Sequence, residues 1–188
     1  MLTLTAYDTF VEQLFEVMKR FVNALSGTGI EYRIIGGMGV FLHVNERNPV
    51  AARLTNDVDA AVQRTDLEAI VRAVAPFGFI YRHVAGVDML VDSAKPRARS
   101  AIHLVFIGEK VRKEYLEPVP AFSPPATTAE GALVAPVADL VRMKLTSFRL
   151  KDKVHIQDLD GVGLITPEIE AQLPDLLRHR LAEIRALE

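Results

Sequence analysis

The chain has 188 residues, 49% apolar and 24% charged, with a formal net charge of −2; this length holds one domain with a proper core, or a small α/β domain with a helical appendage, and excludes two large independent domains. The composition excludes disordered and fibrous classes, and the charge excludes a chain-wide field for nucleic acid while allowing local basic clusters at Lys95–Arg99 and from Arg142 to Lys153. The absence of cysteine removes disulfide frameworks, thiolate zinc sites and cysteine nucleophiles.

The first eight residues, Met1 to Asp8, carry no basic leader, and no apolar run reaches membrane-spanning length. The expectation is a cytoplasmic protein without membrane contact. Asp8 is expected to cap an opening amphipathic helix, in which Phe10, Leu14, Phe15, Met18, Phe21, Val22 and Leu25 recur at helical spacing until Gly27 and Gly29 end it. A short β-like run, Tyr32 to Ile35, leads into Gly36-Gly37, and a helix begins there and continues to Val44. After a polar loop, Arg53-Leu54-Thr55-Asn56 enters a second strand, Asp57 to Val62, and Asp66 opens a helix closed by Gly78.

Phe79 to Arg82, Met89 to Asp92 and Ala101 to Ile107 read as further strands, the last two joined by the basic, proline-containing hairpin. The fold class is therefore α/β (α+β), a small mixed sheet of four to five strands flanked by helices and followed by a C-terminal helical region. Pro118 to Pro136, rich in Pro, Ala and Thr, is expected as a linker or wrapping loop. Helices are predicted from Pro136 to Arg149, from Asp152 to Val162, and from Thr166-Pro167 onward with a restart at Pro174. Three segments follow: an α/β core over 1–117, the connection at 118–135 and the helical region at 136–188.

Asp57 and Asp59 stand two apart on a strand, so both carboxylates project from one face while Val58 points to the other. Such like charges repel unless a cation lies between them, and a hard divalent ion such as magnesium suits oxygen ligands. The competing reading is a pair of solvated carboxylates at a strand end. Gly36-Gly37 favours the metal reading: a glycine turn between strand and helix leaves free N–H groups at a helix N-terminus, which is an anion site. A triphosphate held by backbone amides beside an aspartate-bound metal is the combined expectation.

Ile34-Ile35-Gly36-Gly37, followed by Arg53-Leu54-Thr55-Asn56-Asp57-Val58-Asp59, resembles the signature of the DNA polymerase β nucleotidyltransferase superfamily, in its branch of bacterial AbiEii and MenT-like toxins. The resemblance continues at Asp139 to Leu145 and at Arg149 to Leu159, so it covers residues from about 30 to 160. It implies metal-dependent transfer of a nucleotidyl group from a nucleoside triphosphate to a hydroxyl of RNA (tRNA ends) or protein, in a toxin-like role with an antitoxin-like partner protein. Magnesium, or manganese, is the implied cofactor. The resemblance assigns Gly36, Gly37, Arg53, Thr55 and Lys144 to the nucleotide, and Asp57, Asp59, Lys144 and Asp158 to catalysis.

Members of that superfamily place a third carboxylate on a neighbouring strand. Here the matching position is His103, so the expected metal set is Asp57, Asp59 and His103. An imidazole brings no negative charge and suits manganese or zinc better than magnesium, which opens an alternative: a non-catalytic nucleotide-binding relative serving as a sensor or interaction partner. The apolar stripe Val137, Leu140, Val141, Leu145 and Phe148 is expected to leave the Lys144 ammonium exposed and free for a phosphate. Asp158 is expected to orient an acceptor hydroxyl or to hold Lys144.

Overall fold

The computed structural model describes residues 4–94, 101–129 and 131–187. Helix α1 (Leu4–Leu25) precedes strand β1 (Tyr32–Ile35), and helix α2 (Gly36–Arg47) starts at the residue after that strand. The chain continues through β2 (Val58–Val62), α3 (Leu67–Val74), β3 (Phe79–Val84), β4 (Val87–Asp92) and β5 (Ile102–Phe106). Two short strands, β6 (Ala126–Thr127) and β7 (Leu133–Val134), then lead into α4 (Val137–Ser147), α5 (Leu150–Gly161), α6 (Pro167–Ala171) and α7 (Asp175–Arg185). Asp8 lies inside α1 rather than at its cap. The proposed basic hairpin at 95–99 falls outside the described residues, although β4 and β5 do pair antiparallel.

The strands form one mixed sheet in the order β3-β4-β5-β2-β1-β7-β6. It is two strands wider than the sequence suggests, because the Pro-rich connection contributes β6 and β7. Two-residue strands carry no readable periodicity. Their place follows from pairing, with Val134 beside Ile34 in parallel register.

Side-chain alternation divides the sheet between two cores. Ile34, Val58, Ala60, Val62, Ile102 and Leu104 pack toward α1 and α3. Ile35 and Ala61 instead join Leu140, Val141, Leu145, Ile156, Leu159, Leu177 and Leu181 of α4, α5 and α7. Asp59, two residues from Ala61 and opposite Ile35, therefore emerges on the side covered by the C-terminal helices. None of the described helices is long and apolar enough to cross a membrane.

Candidate nucleotide site

The site begins where β1 runs out. Gly36 has φ +69°, a left-handed conformation that L side chains rarely adopt. A Cβ there would also overlap the Asp59 carboxylate and lie 2.9 Å from its Cγ. Gly37 needs its missing side chain for a different reason: a Cβ would lie 2.9 Å from Thr55 Cβ and 3.3 Å from His155 Cε1. The two glycines are thus bracketed, Asp59 on one side and Thr55 with His155 on the other. α2 starts here without a side-chain cap, so its first N–H groups remain available to an anion.

Asp57 immediately precedes β2, and Asp59 lies within it, with its side chain 29% exposed. In the parallel register, Asp59 stands beside His103 of β5, and His103 Nδ1 lies 3.4 Å from Asp59 Oδ1. The hydrogen bond from the ring to Asp59 raises the His103 pKa against the effect of burial, and the charges of Asp59 and Asp57 add to the rise. His103 is thus a side-chain partner of Asp59 on the face that carries the aspartate pair.

For magnesium or manganese, Asp57 and Asp59 offer the hard oxygen donors such ions take. Among the described residues, no three His, Cys, Asp or Glu side chains form a ready metal-binding group. The fit is accordingly to a cation held by the two aspartates, with His103 engaged by Asp59.

Lys144 departs from its expected exposure. It is 6% exposed, and Nζ donates to Asp152 Oδ1 at 3.1 Å. Spacing explains the burial, since Lys144 falls one turn after Leu140 and beside Leu145, within the apolar stripe. Asp152 is fully buried and also accepts from Ser147 Oγ at 2.8 Å, Arg149 Nε at 2.7 Å and the Arg149 backbone N–H at 3.1 Å. Burial pushes the Asp152 carboxyl up, but Arg149, Lys144 and Ser147 together outweigh it and hold it well below the ordinary carboxylate range. Burial lowers the Lys144 pKa, with Asp152 opposing.

Asp158 does not meet Lys144. Its carboxylate, 7% exposed, pairs with Arg53 Nε at 2.9 Å. Burial raises its pKa, and Arg53 opposes that rise. Arg53 is itself 67% exposed, so the pair ties the loop before β2 to α5.

A cavity of about 650 Å³ opens over the glycine turn, a volume in the range of small-molecule sites. Its lining contains Gly36, Gly37, Thr55, Asp57, Asp59, His103 and Lys144 of the sequence-assigned set. Arg53 and Asp158 are outside that lining. Sequence reasoning missed His155 and Lys151, which line the cavity from α5, and Tyr115, which lines it from the segment after β5. His155 was legible as a helical neighbour of Asp152, three residues on; Tyr115 lies in an irregular stretch with no periodic signal.

No protein-family model matches the sequence, and no curated protein matches it. Solved structures do match. An antigenic nucleotidyltransferase-like protein from Paracoccidioides brasiliensis superposes with a TM-score of 0.60 at 15% identity, covering 94% of this chain and 89% of that one. ANT(2")-Ia, in complex with adenylyl-2"-tobramycin, gives 0.53 at 9% identity over 94% and 98%. At such identities the likeness is one of fold: the chain has the mixed α/β fold of these nucleotidyltransferase structures.

Proposed function

We propose that this protein is a metal-dependent nucleotidyltransferase, of the AbiEii and MenT-like branch, that moves a nucleotidyl group from a nucleoside triphosphate to a hydroxyl of RNA (tRNA) or protein. The observation that carries the reading is the bracketed glycine turn, which packs the Asp59 carboxylate of β2 against the uncapped start of α2. Gly36 and Gly37 bind phosphate through their backbone, and Thr55 Oγ1 borders the same spot. Asp57 and Asp59 would hold magnesium or manganese, which supplies positive charge against the phosphates when bound.

In the transfer, the acceptor hydroxyl oxygen bonds to the α-phosphorus, and the bond from that phosphorus to the bridging oxygen of the β-phosphate breaks. Pyrophosphate leaves with the electron pair. Asp57, the carboxylate of the pair that is not hydrogen-bonded to His103, accepts the hydroxyl proton. Lys144 faces the same cavity but is held by Asp152, so it acts by fixing the α4–α5 wall.

The test is label transfer from each α-labelled nucleoside triphosphate, with magnesium or manganese, to a tRNA pool and to protein. Transfer that is lost in Asp57→Asn and Asp59→Asn supports the reading; no transfer to either acceptor with any nucleotide overturns it. The engagement of His103 by Asp59 favours a second reading, a nucleotide-binding relative without turnover that works as a sensor or through an antitoxin-like partner. Saturable binding without transfer selects that alternative. Because ANT(2")-Ia is bound to adenylyl-2"-tobramycin, a small hydroxylated acceptor belongs in the same assay.

A further inference from the structure

We infer that His155 is a phosphate-binding residue, a neutral hydrogen-bond donor whose Nε2–H points at the triphosphate where it rests on Gly37. The inference deepens the nucleotidyltransferase reading and rests on it. His155 lies on α5, lines the cavity, and brings its ring edge to within 3.3 Å of where a Gly37 Cβ would stand. The ring therefore borders the space left by the missing Gly37 side chain.

The two ring nitrogens are not equivalent. Nδ1 is buried with no hydrogen-bond partner among the described residues. A buried N–H without an acceptor is worse tolerated than a buried lone pair. The proton of the neutral ring therefore belongs on Nε2. Burial, reinforced by the charges of Lys144, Lys151 and Arg149, lowers the ring's pKa to about 4, so the neutral form prevails near neutrality.

The surroundings select the ligand's charge. The Gly36 side of the turn carries Asp59 and the Gly37 side carries Thr55 and His155, while Lys151, exposed at the start of α5, lines the same cavity. The carboxylates thus mark the side for a cation, and the His155 side is left for anionic oxygens. An N–H donor in a positive neighbourhood recognises a phosphate oxygen better than a base or a sugar.

The experiment compares affinities for ATP, inorganic tripolyphosphate and adenosine, in magnesium, for the wild type, His155→Ala and His155→Asn. The expected result is a loss of about tenfold or more for ATP and tripolyphosphate in His155→Ala, the scale of a hydrogen bond to a charged group. His155→Asn, which restores an N–H, recovers part of it, and adenosine is unaffected. If the alanine variant fails to fold, imidazole ¹⁵N shifts of the wild type decide instead: tripolyphosphate should shift the Nε2 signal of His155. Equal tripolyphosphate affinity in folded wild type and His155→Ala, or an unmoved ring signal at saturation, overturns the inference alone. A wild type that binds neither ATP nor tripolyphosphate overturns both it and the nucleotidyltransferase reading.

Discussion

At the scale of single residues, Lys144 shows how burial and function compete for one side chain. Its helical spacing places it among Leu140, Val141 and Leu145, and the stripe that was expected to leave this lysine exposed instead encloses it. Asp152, eight residues on, is that partner. Removing one member of a buried pair leaves the other uncompensated, at a cost of about 3–5 kcal/mol. Arg149 and Ser147 stay with Asp152, so Lys144→Ala is expected at the low end of that range, read as a fall in unfolding free energy in urea; a loss under ~1 kcal/mol would return Lys144 to an exposed role.

The histidines separate by pH. His155 has a lowered pKa, so the unfolded chain binds more protons between its value of about 4 and the ordinary 6.5. Stability should rise with pH across that window by up to about 1.4 kcal/mol per pH unit, and His155→Gln should flatten the rise. His103, with a raised pKa, contributes stability that is full below 6.5 and lost as pH climbs through its folded value. Urea titrations of both glutamine variants across pH would read the two windows apart. An unchanged slope in His155→Gln between pH 4 and 6.5 would contradict the burial argument.

At the scale of elements, the strand, glycine turn and helix were legible because an extended run ending in Gly36-Gly37 admits few alternatives. Alternation put the two aspartates on one face but left their role open until the glycine turn was added, and Asp57 falls just before β2 rather than within it. The Pro-rich connection was not legible, since its structure depends on contacts far along the chain. Buried Arg33 holds it, donating from Nε and Nη2 to the Ser123 carbonyl at 3.1 and 3.0 Å and stacking over Phe122 at 4.7 Å. Single-sequence reading has no signal for a strap fixed by an arginine ninety residues earlier. Arg33→Ala is expected to loosen it, so limited proteolysis should cut between residues 107 and 125 faster than in the wild type; cleavage at the wild-type rate would show that the strap is held elsewhere. Asp158 was readable as a helical acid expected to meet an acceptor or Lys144, but its partner was not: Arg53 reaches it from the loop before β2.

At the scale of the whole molecule, the sheet separates a core of α1 and α3 from a core of α4, α5 and α7, and the second core includes Ile35, Val40 and Ala61 of the α/β half. The cavity lies on that second side, so the C-terminal helices form its wall and the glycine turn its floor. On the proposed reading, binding is confined to one place: nucleoside triphosphate on Gly36-Gly37, with its cation on Asp57 and Asp59. Calorimetric titration of nucleoside triphosphate in magnesium and in manganese tests it most directly, with Asp57→Asn/Asp59→Asn as the comparison and melting temperature as the control for folding. Saturable, metal-dependent binding in the wild type, lost in the folded double variant, is the expected result; no binding at millimolar nucleotide, or equal affinity in the double variant, would contradict the account.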